Sequence, residues 1–206
     1  MVLITIEGID GSGKSTLVSA LRGLLSDLDP LFTREPGSTW VGEQVRRAIA
    51  EEIDPIAEAL LFVADHAVHV SGVIRPALAE GRLVISDRYR DSRYAYQAVT
   101  LKNILPDPLS WLKNIHDGWS ITPDMTFLLV LPVNEAVSRM DRGEALEHFE
   151  TAELLHDVQQ QYLALAEEEP SRFLVIDAGK DEKEIQEFVA DSIRQCAGWS
   201  RSRRRH

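Results

Sequence analysis

Gly8, Gly13, Lys14 and Ser15 stand at the spacing G-x-x-x-x-G-K-[ST] in "GIDGSGKS". Glycines at these positions let a loop aim successive backbone N–H groups at phosphate oxygens, and the following helix adds its positive N-terminal dipole. The expected phosphate cradle runs through Gly8, Ile9, Asp10, Gly11, Ser12, Gly13, Lys14, Ser15 and Thr16. Lys14 reaches the β- and γ-phosphates of a nucleoside triphosphate, and the Ser15 hydroxyl is a candidate Mg²⁺ ligand. A chain of this length matches the spacing by accident about once in a hundred. Here an apolar strand precedes the match and an amphipathic helix follows it.

A second segment, "SDRYRDSRYAYQ" at 86–97, crowds arginines and tyrosines behind the apolar run "RLVI". Asp87 ends that strand, where it can order a metal-bound water or fix a neighbouring arginine. Arg88 follows, with a guanidinium fork suited to bidentate phosphate contacts. Tyr89, Tyr94 and Tyr96 supply flat surfaces and hydroxyls for a base or sugar. Arg90 reads as a solvent-facing helix residue. Arg34, in "TREPG" after another strand, points to the same cleft. Two arginines opposite a phosphate loop imply a second substrate that itself carries phosphate. A phosphomonoester is largely dianionic near neutrality, so such an acceptor needs no general base. Catalysis then reduces to alignment and charge neutralisation. Arg139 and Arg142, in "RMDRG", are the candidate cations of a lid. A GTPase would need a guanine-reading [NT]-K-x-D segment after a later strand, and none is present.

The elements that must position these residues alternate. Strands are expected at 2–7, 30–35, 82–86, 124–131 and 172–177, and helices after the phosphate loop and at 40–52, 55–80, 133–141, 150–169 and 181–196. The residues between 98 and 123 read as Pro- and Asp-rich loops. Short apolar strands between helices indicate an α/β three-layer sandwich of the P-loop type, a five-stranded parallel sheet with helices on both faces. Ligands bind at the carboxyl ends of such strands, which brings 8–16, 34–39 and 87–97 to one edge. One domain over 1–197 is expected, with a short lid near 139–149 and a basic tail at 198–206 that is read as disordered.

Composition bounds the rest. Of the 206 residues 44% are hydrophobic and 27% charged, as in soluble globular proteins. No uninterrupted apolar run approaches the ~18 residues of a membrane span. The net charge of −11 argues against broad nucleic-acid binding. A single cysteine, Cys196, excludes an internal disulfide and fits a cytoplasmic protein.

The ordered series "EGIDGSGKST", "TREPGST", "ALLFVADHAVH", "SDRYRDSRYAYQ", "PDMTFLLVLPV" and "RFLVIDA" resembles the thymidylate kinases of the P-loop nucleoside monophosphate kinase group. The resemblance implies transfer of the γ-phosphoryl of ATP, with Mg²⁺, to thymidine monophosphate. It places Asp10 near the acceptor's 3′-hydroxyl, Arg34 and Arg88 on its phosphate, and Phe62 against the thymine ring. It puts Ser92, Arg93 and Tyr96 along base and sugar, with Tyr96 set to disfavour a 2′-hydroxyl. Gly11 stands where some members carry an arginine, so the lid arginines Arg139 and Arg142 take that role. Homodimers formed through helices flanking the sheet are also implied.

Three positions depart from the family pattern. His66 stands where an arginine usually reads a base carbonyl, which puts selectivity over deoxyuridylate in question or moves it to Arg93. Pro132 replaces a common aspartate, and His148 a lid arginine. These departures motivate two alternatives, a kinase for deoxyuridylate or another pyrimidine monophosphate, and a weakly catalytic nucleotide-binding protein.

Overall fold

The computed structural model describes residues 2–37, 39–140 and 151–202. Five parallel strands, β1 (Val2–Glu7), β2 (Leu31–Arg34), β3 (Leu83–Asp87), β4 (Met125–Val130) and β5 (Phe173–Asp177), lie in the order β2-β3-β1-β4-β5. β1 is central and buried along its whole length. Its side chains alternate: Val2, Ile4 and Ile6 enter the main core with Leu17, Leu21, Val189 and Ile193, whereas Leu3 joins Val70, Ile74 and Val84 in a second cluster. Glu7, of Leu3's parity, is thereby carried into the protein beneath the ligand edge. Ile6 pairs with Asp87 and Arg34 with Asp87 in the registers of β1–β3 and β2–β3, which aligns the phosphate loop, Arg34 and Arg88 at one edge.

Nine α-helices surround the sheet among the described residues: α1 (Lys14–Leu24), α2 (Trp40–Glu51), α3 (Pro55–His69), α4 (Arg75–Ala79), α5 (Arg90–Thr100), α6 (Pro108–His116), α7 (Val133–Arg139), α8 (Ala152–Glu168) and α9 (Glu182–Ser202). Their starts are written in the sequence. Thr39 caps α2 through the Gly42 amide, and Asp54 caps α3 through two amides with Pro55 in the first turn. α3 continues through a π-helical turn, Val70–Ile74, into α4.

Three expectations change. Residues 90–100 and 108–116, which the sequence reading left in the arginine–tyrosine segment and the following loops, form α5 and α6. Asp107 caps α6 through Ser110, with Pro108 in the first turn, the same signal that marks α3. α9 runs on to Ser202, into the segment expected to be a disordered tail. The continuous helix Pro55–Ala79 has the length and mean hydropathy, 1.4, of a membrane span, which a search for unbroken apolar runs passes over. Its Asp65, His66 and His69 are buried and hydrogen-bonded within the fold, as in a core helix.

α5 is pinned to the sheet by a buried polar cluster. Arg172 donates through both terminal nitrogens to Asp91 in the first turn of α5, at 2.7 and 2.8 Å. It also donates to Thr126 on β4, whose hydroxyl shares a hydrogen bond with Thr5 on β1. Ser92, Arg93 and Tyr96 are thereby held at fixed height above the sheet edge.

Candidate active site

The carboxyl ends of the strands open into a cleft of about 760 Å³. One wall is the loop from Asp10 to Thr16. Gly11 has φ 77°, and a Cβ built there would lie 2.1 Å from the Ala136 carbonyl of α7. α7 thus closes over the loop at the position where an arginine would otherwise project. Gly13 (φ 96°) turns the chain into α1, whose first residue is Lys14. Lys14 Nζ donates to the Ile9 carbonyl at 2.7 Å, folding over its own loop. Burial and neighbouring Arg88 bring its pKa down to about 8, against the pull of Asp10, Asp87 and Glu7. Gly8 and Ile9 stand behind the wall, offering carbonyls to Arg88 and Lys14.

Arg88 faces the loop. Its backbone has φ 63°, a left-handed conformation that is costly for a side-chain-bearing residue. The Arg88 amide donates to Ile6 at 3.0 Å, and its carbonyl accepts from Ser86 Oγ at 2.7 Å, holding that geometry. The guanidinium is hydrogen-bonded to Asp10 and to the Gly8 carbonyl, with Ser92 and Tyr96 at 3.3 Å. Tyr96 donates to the other Asp10 oxygen at 2.7 Å. Burial disfavours a charged Asp10, yet Arg88 and Lys14 hold its carboxyl well below the usual range.

Beneath this cluster lies Glu7, which accepts from the Tyr89 amide (2.8 Å), Ser92 (2.6 Å) and Tyr162 (2.9 Å). Burial and the nearby Asp91 push its pKa up to about 7, against those hydrogen bonds and Arg88. Tyr162 is fully buried and tied into this support. The support escaped the sequence reading because Glu7 reads as the end of a buried strand.

Arg34, Phe62, Asp87, Ser92, Arg93, Tyr96 and Arg139 all line the cleft. Arg93 is fully buried along α5, with its guanidinium 5.6 Å from the centre of the Phe62 ring. His66 is placed differently from the expectation. It is fully buried and absent from the lining, with its ring nitrogens taken by Glu35 and Ser120. The edge beside Phe62 is occupied by Arg93. Arg142 and His148 lie outside the described residues. Pro132 is the N-cap of α7, where no side chain caps the helix. The change from aspartate therefore falls on a helix start. Glu35, Arg46 and Lys180 also line the cleft. Lys180 follows β5, where the strand-end rule would have found it.

A divalent cation fits this site. Asp87 Oδ1 is buried with no hydrogen-bond partner among the described residues, and Ser15 lines the same cleft. No cluster of three His, Cys, Asp or Glu ligands occurs among the described residues. Asp87 and Ser15 would supply the one or two protein oxygens that Mg²⁺ takes besides water and phosphate.

A phosphate loop facing an arginine clamp across the carboxyl ends of a parallel sheet defines a P-loop phosphotransferase of the nucleoside monophosphate kinase class. The family model described as Thymidylate kinase matches residues 6–189. The chain is 66% identical over 204 residues to a protein named "Probable thymidylate kinase" from Methanoculleus marisnigri, covering 99% of this chain and 100% of the relative. Proteins with the same name from Methanospirillum hungatei and Natronomonas pharaonis are 56% and 44% identical, covering 94% and 93% of this chain and 94% and 97% of those relatives. The chain belongs to the thymidylate kinase family.

Proposed function

We propose that this chain transfers the γ-phosphoryl group of ATP to thymidine 5′-monophosphate, giving the diphosphate, as a cytoplasmic homodimer. The observation that carries the reading is Arg88, held in a left-handed backbone conformation opposite the phosphate loop. Lys14 and the loop amides bind the donor phosphates. Arg88 and Arg34 neutralise the acceptor phosphate and set it in line, with Arg139 near the transferring group. Asp10 and Tyr96, joined by a hydrogen bond, face the acceptor sugar. Phe62 stacks on the base, and Arg93 lies at its edge. Asp87 and Ser15 would hold Mg²⁺, which would neutralise charge on the donor phosphates.

Arg88→Ala tests the reading. The expected result is a fall in kcat/KM for thymidylate of at least about 10³-fold, with the ATP dissociation constant unchanged within about threefold. An unchanged turnover would remove the acceptor clamp.

A further inference from the structure

We infer that Glu35 is a positioning residue for base recognition: from its buried place in the cleft wall it fixes Arg93 against Phe62, and His66 and His69 fix Glu35. The inference rests on the kinase reading and concerns how that site tells one pyrimidine from another.

The Glu35 side chain is fully buried, and its carboxylate gathers three partners. One oxygen accepts from His66 Nδ1 at 2.9 Å and from His69 Nδ1 at 2.6 Å. The other forms an ion pair with Arg93 Nη2 at 2.7 Å. Burial opposes its ionisation, but Arg93 and His66 hold its carboxyl well below the ordinary range. An ionised carboxylate only accepts, so both imidazoles carry their proton on Nδ1. Each Nε2 then accepts from a hydroxyl, Ser120 for His66 at 2.8 Å and Thr33 for His69 at 2.6 Å. His66 Nδ1 also lies 3.1 Å from the second Glu35 oxygen, and the polarity converges on Glu35, from Ser120 and Thr33 through the two histidines of α3 on one side and from Arg93 of α5 on the other.

A buried ion pair is a costly way to hold α5 to the segment after β2, and apolar packing would do it better. What the pair secures is the placement of one guanidinium. Arg93 donates through Nη1 to the Tyr89 carbonyl at 2.6 Å, while its Nη2 faces Glu35 as an ion pair at 2.7 Å and makes no hydrogen bond among the described residues. Its Nε is buried without an acceptor among the described residues, on a side chain that lines the cleft beside Phe62. A buried donor left open on a cleft wall calls for an acceptor on the ligand. A keto pyrimidine presents carbonyl oxygens to that wall. Cytosine presents an amino group at ring position 4, which would set donor against donor. The assembly selects thymine or uracil over cytosine and does not read the 5-methyl group.

The test is a double-mutant cycle of Glu35→Gln and Arg93→Met, with kcat/KM for thymidylate and deoxycytidylate at saturating ATP. In Glu35→Gln the new carboxamide can still accept from the histidines, but its amide turns N–H donors toward Arg93. In that variant the thymidylate KM should rise about tenfold or more, and the preference over deoxycytidylate should fall by a similar factor. The KM for ATP should stay within about twofold. In the Arg93→Met background, Glu35→Gln should cost the preference nothing further. A penalty that persists without Arg93, or equal losses for ATP and acceptor, would overturn the inference. If the glutamine variant does not fold, Glu35→Asp keeps the charge one methylene short and should lose part of the preference. Selectivity at the parent value there would also overturn it. Absence of thymidylate turnover in the parent protein would instead remove the kinase reading itself.

Discussion

Lys14 is drawn two ways, since burial and Arg88 favour its neutral form while a bound triphosphate favours the charged one. With its pKa brought down to about 8, the ammonium is lost as pH rises through that value. We therefore expect kcat/KM for ATP, which reports the free enzyme, to decline above about pH 8, with kcat declining only at higher pH. Stopped assays from pH 6.5 to 10 at fixed Mg²⁺ would check this, and a flat kcat/KM profile would contradict it. Residues of this kind were legible in the sequence because their chemistry is local: the loop, Lys14 and Arg88 each sit beside the strand that aims them. Glu7, Glu35 and Tyr162 were not legible. Glu35, for example, acquires its partners from α3 and α5, 31 and 34 residues away for the two histidines, and only the packed fold brings them together. His66 misled for the same reason, because its neighbours in the chain do not reveal that it faces Glu35 and not the cleft.

At the scale of elements, α5 matters most, because one helix carries Ser92, Arg93 and Tyr96. Its anchor is Arg172 on Asp91, with both side chains buried. Asp91→Ala leaves that guanidinium without its main partner and should cost about 3–5 kcal/mol. By contrast Asp157→Ala breaks only the exposed pair with Lys102 and should cost about 1 kcal/mol or less. Urea denaturation of the two variants would compare these values directly, and equal losses would mean that α5 is not anchored there. The strands were readable from their apolar runs to within a residue or two, and α2 and α3 from Thr39 and Asp54-Pro55. α5 was obscured by its composition, since five charged or aromatic side chains in its first seven residues read as a ligand-binding segment, with a helix weighed only as the alternative that leaves Arg90 facing solvent. All but the first of its first ten residues are in fact buried, polar ones included, because the polar partners lie on β1, just after β2, and on α8.

The whole molecule carries a net charge of −11, yet the cleft gathers Lys14, Arg34, Arg88, Arg93, Arg139 and Lys180. An acidic exterior around a cationic cleft repels polyanions in general and admits small phosphorylated ligands to one place. Trp40 at the start of α2 is 72% exposed and Leu60 on α3 is 45% exposed, on helices that pack together. A second copy covering these residues accords with the proposed homodimer. Sedimentation velocity should show a dimer that Leu60→Asp shifts toward monomer, and a parent protein that sediments as a monomer at tens of micromolar would contradict it.

The central claim is that the phosphate loop and arginine clamp serve a pyrimidine deoxynucleoside monophosphate as acceptor. Its most direct test is ADP release from ATP·Mg²⁺ across a panel of nucleoside monophosphates at one concentration. Turnover on thymidylate, with deoxyuridylate also accepted and deoxycytidylate and the purine monophosphates near background, is the predicted result. Bound ATP without turnover on any acceptor would contradict it.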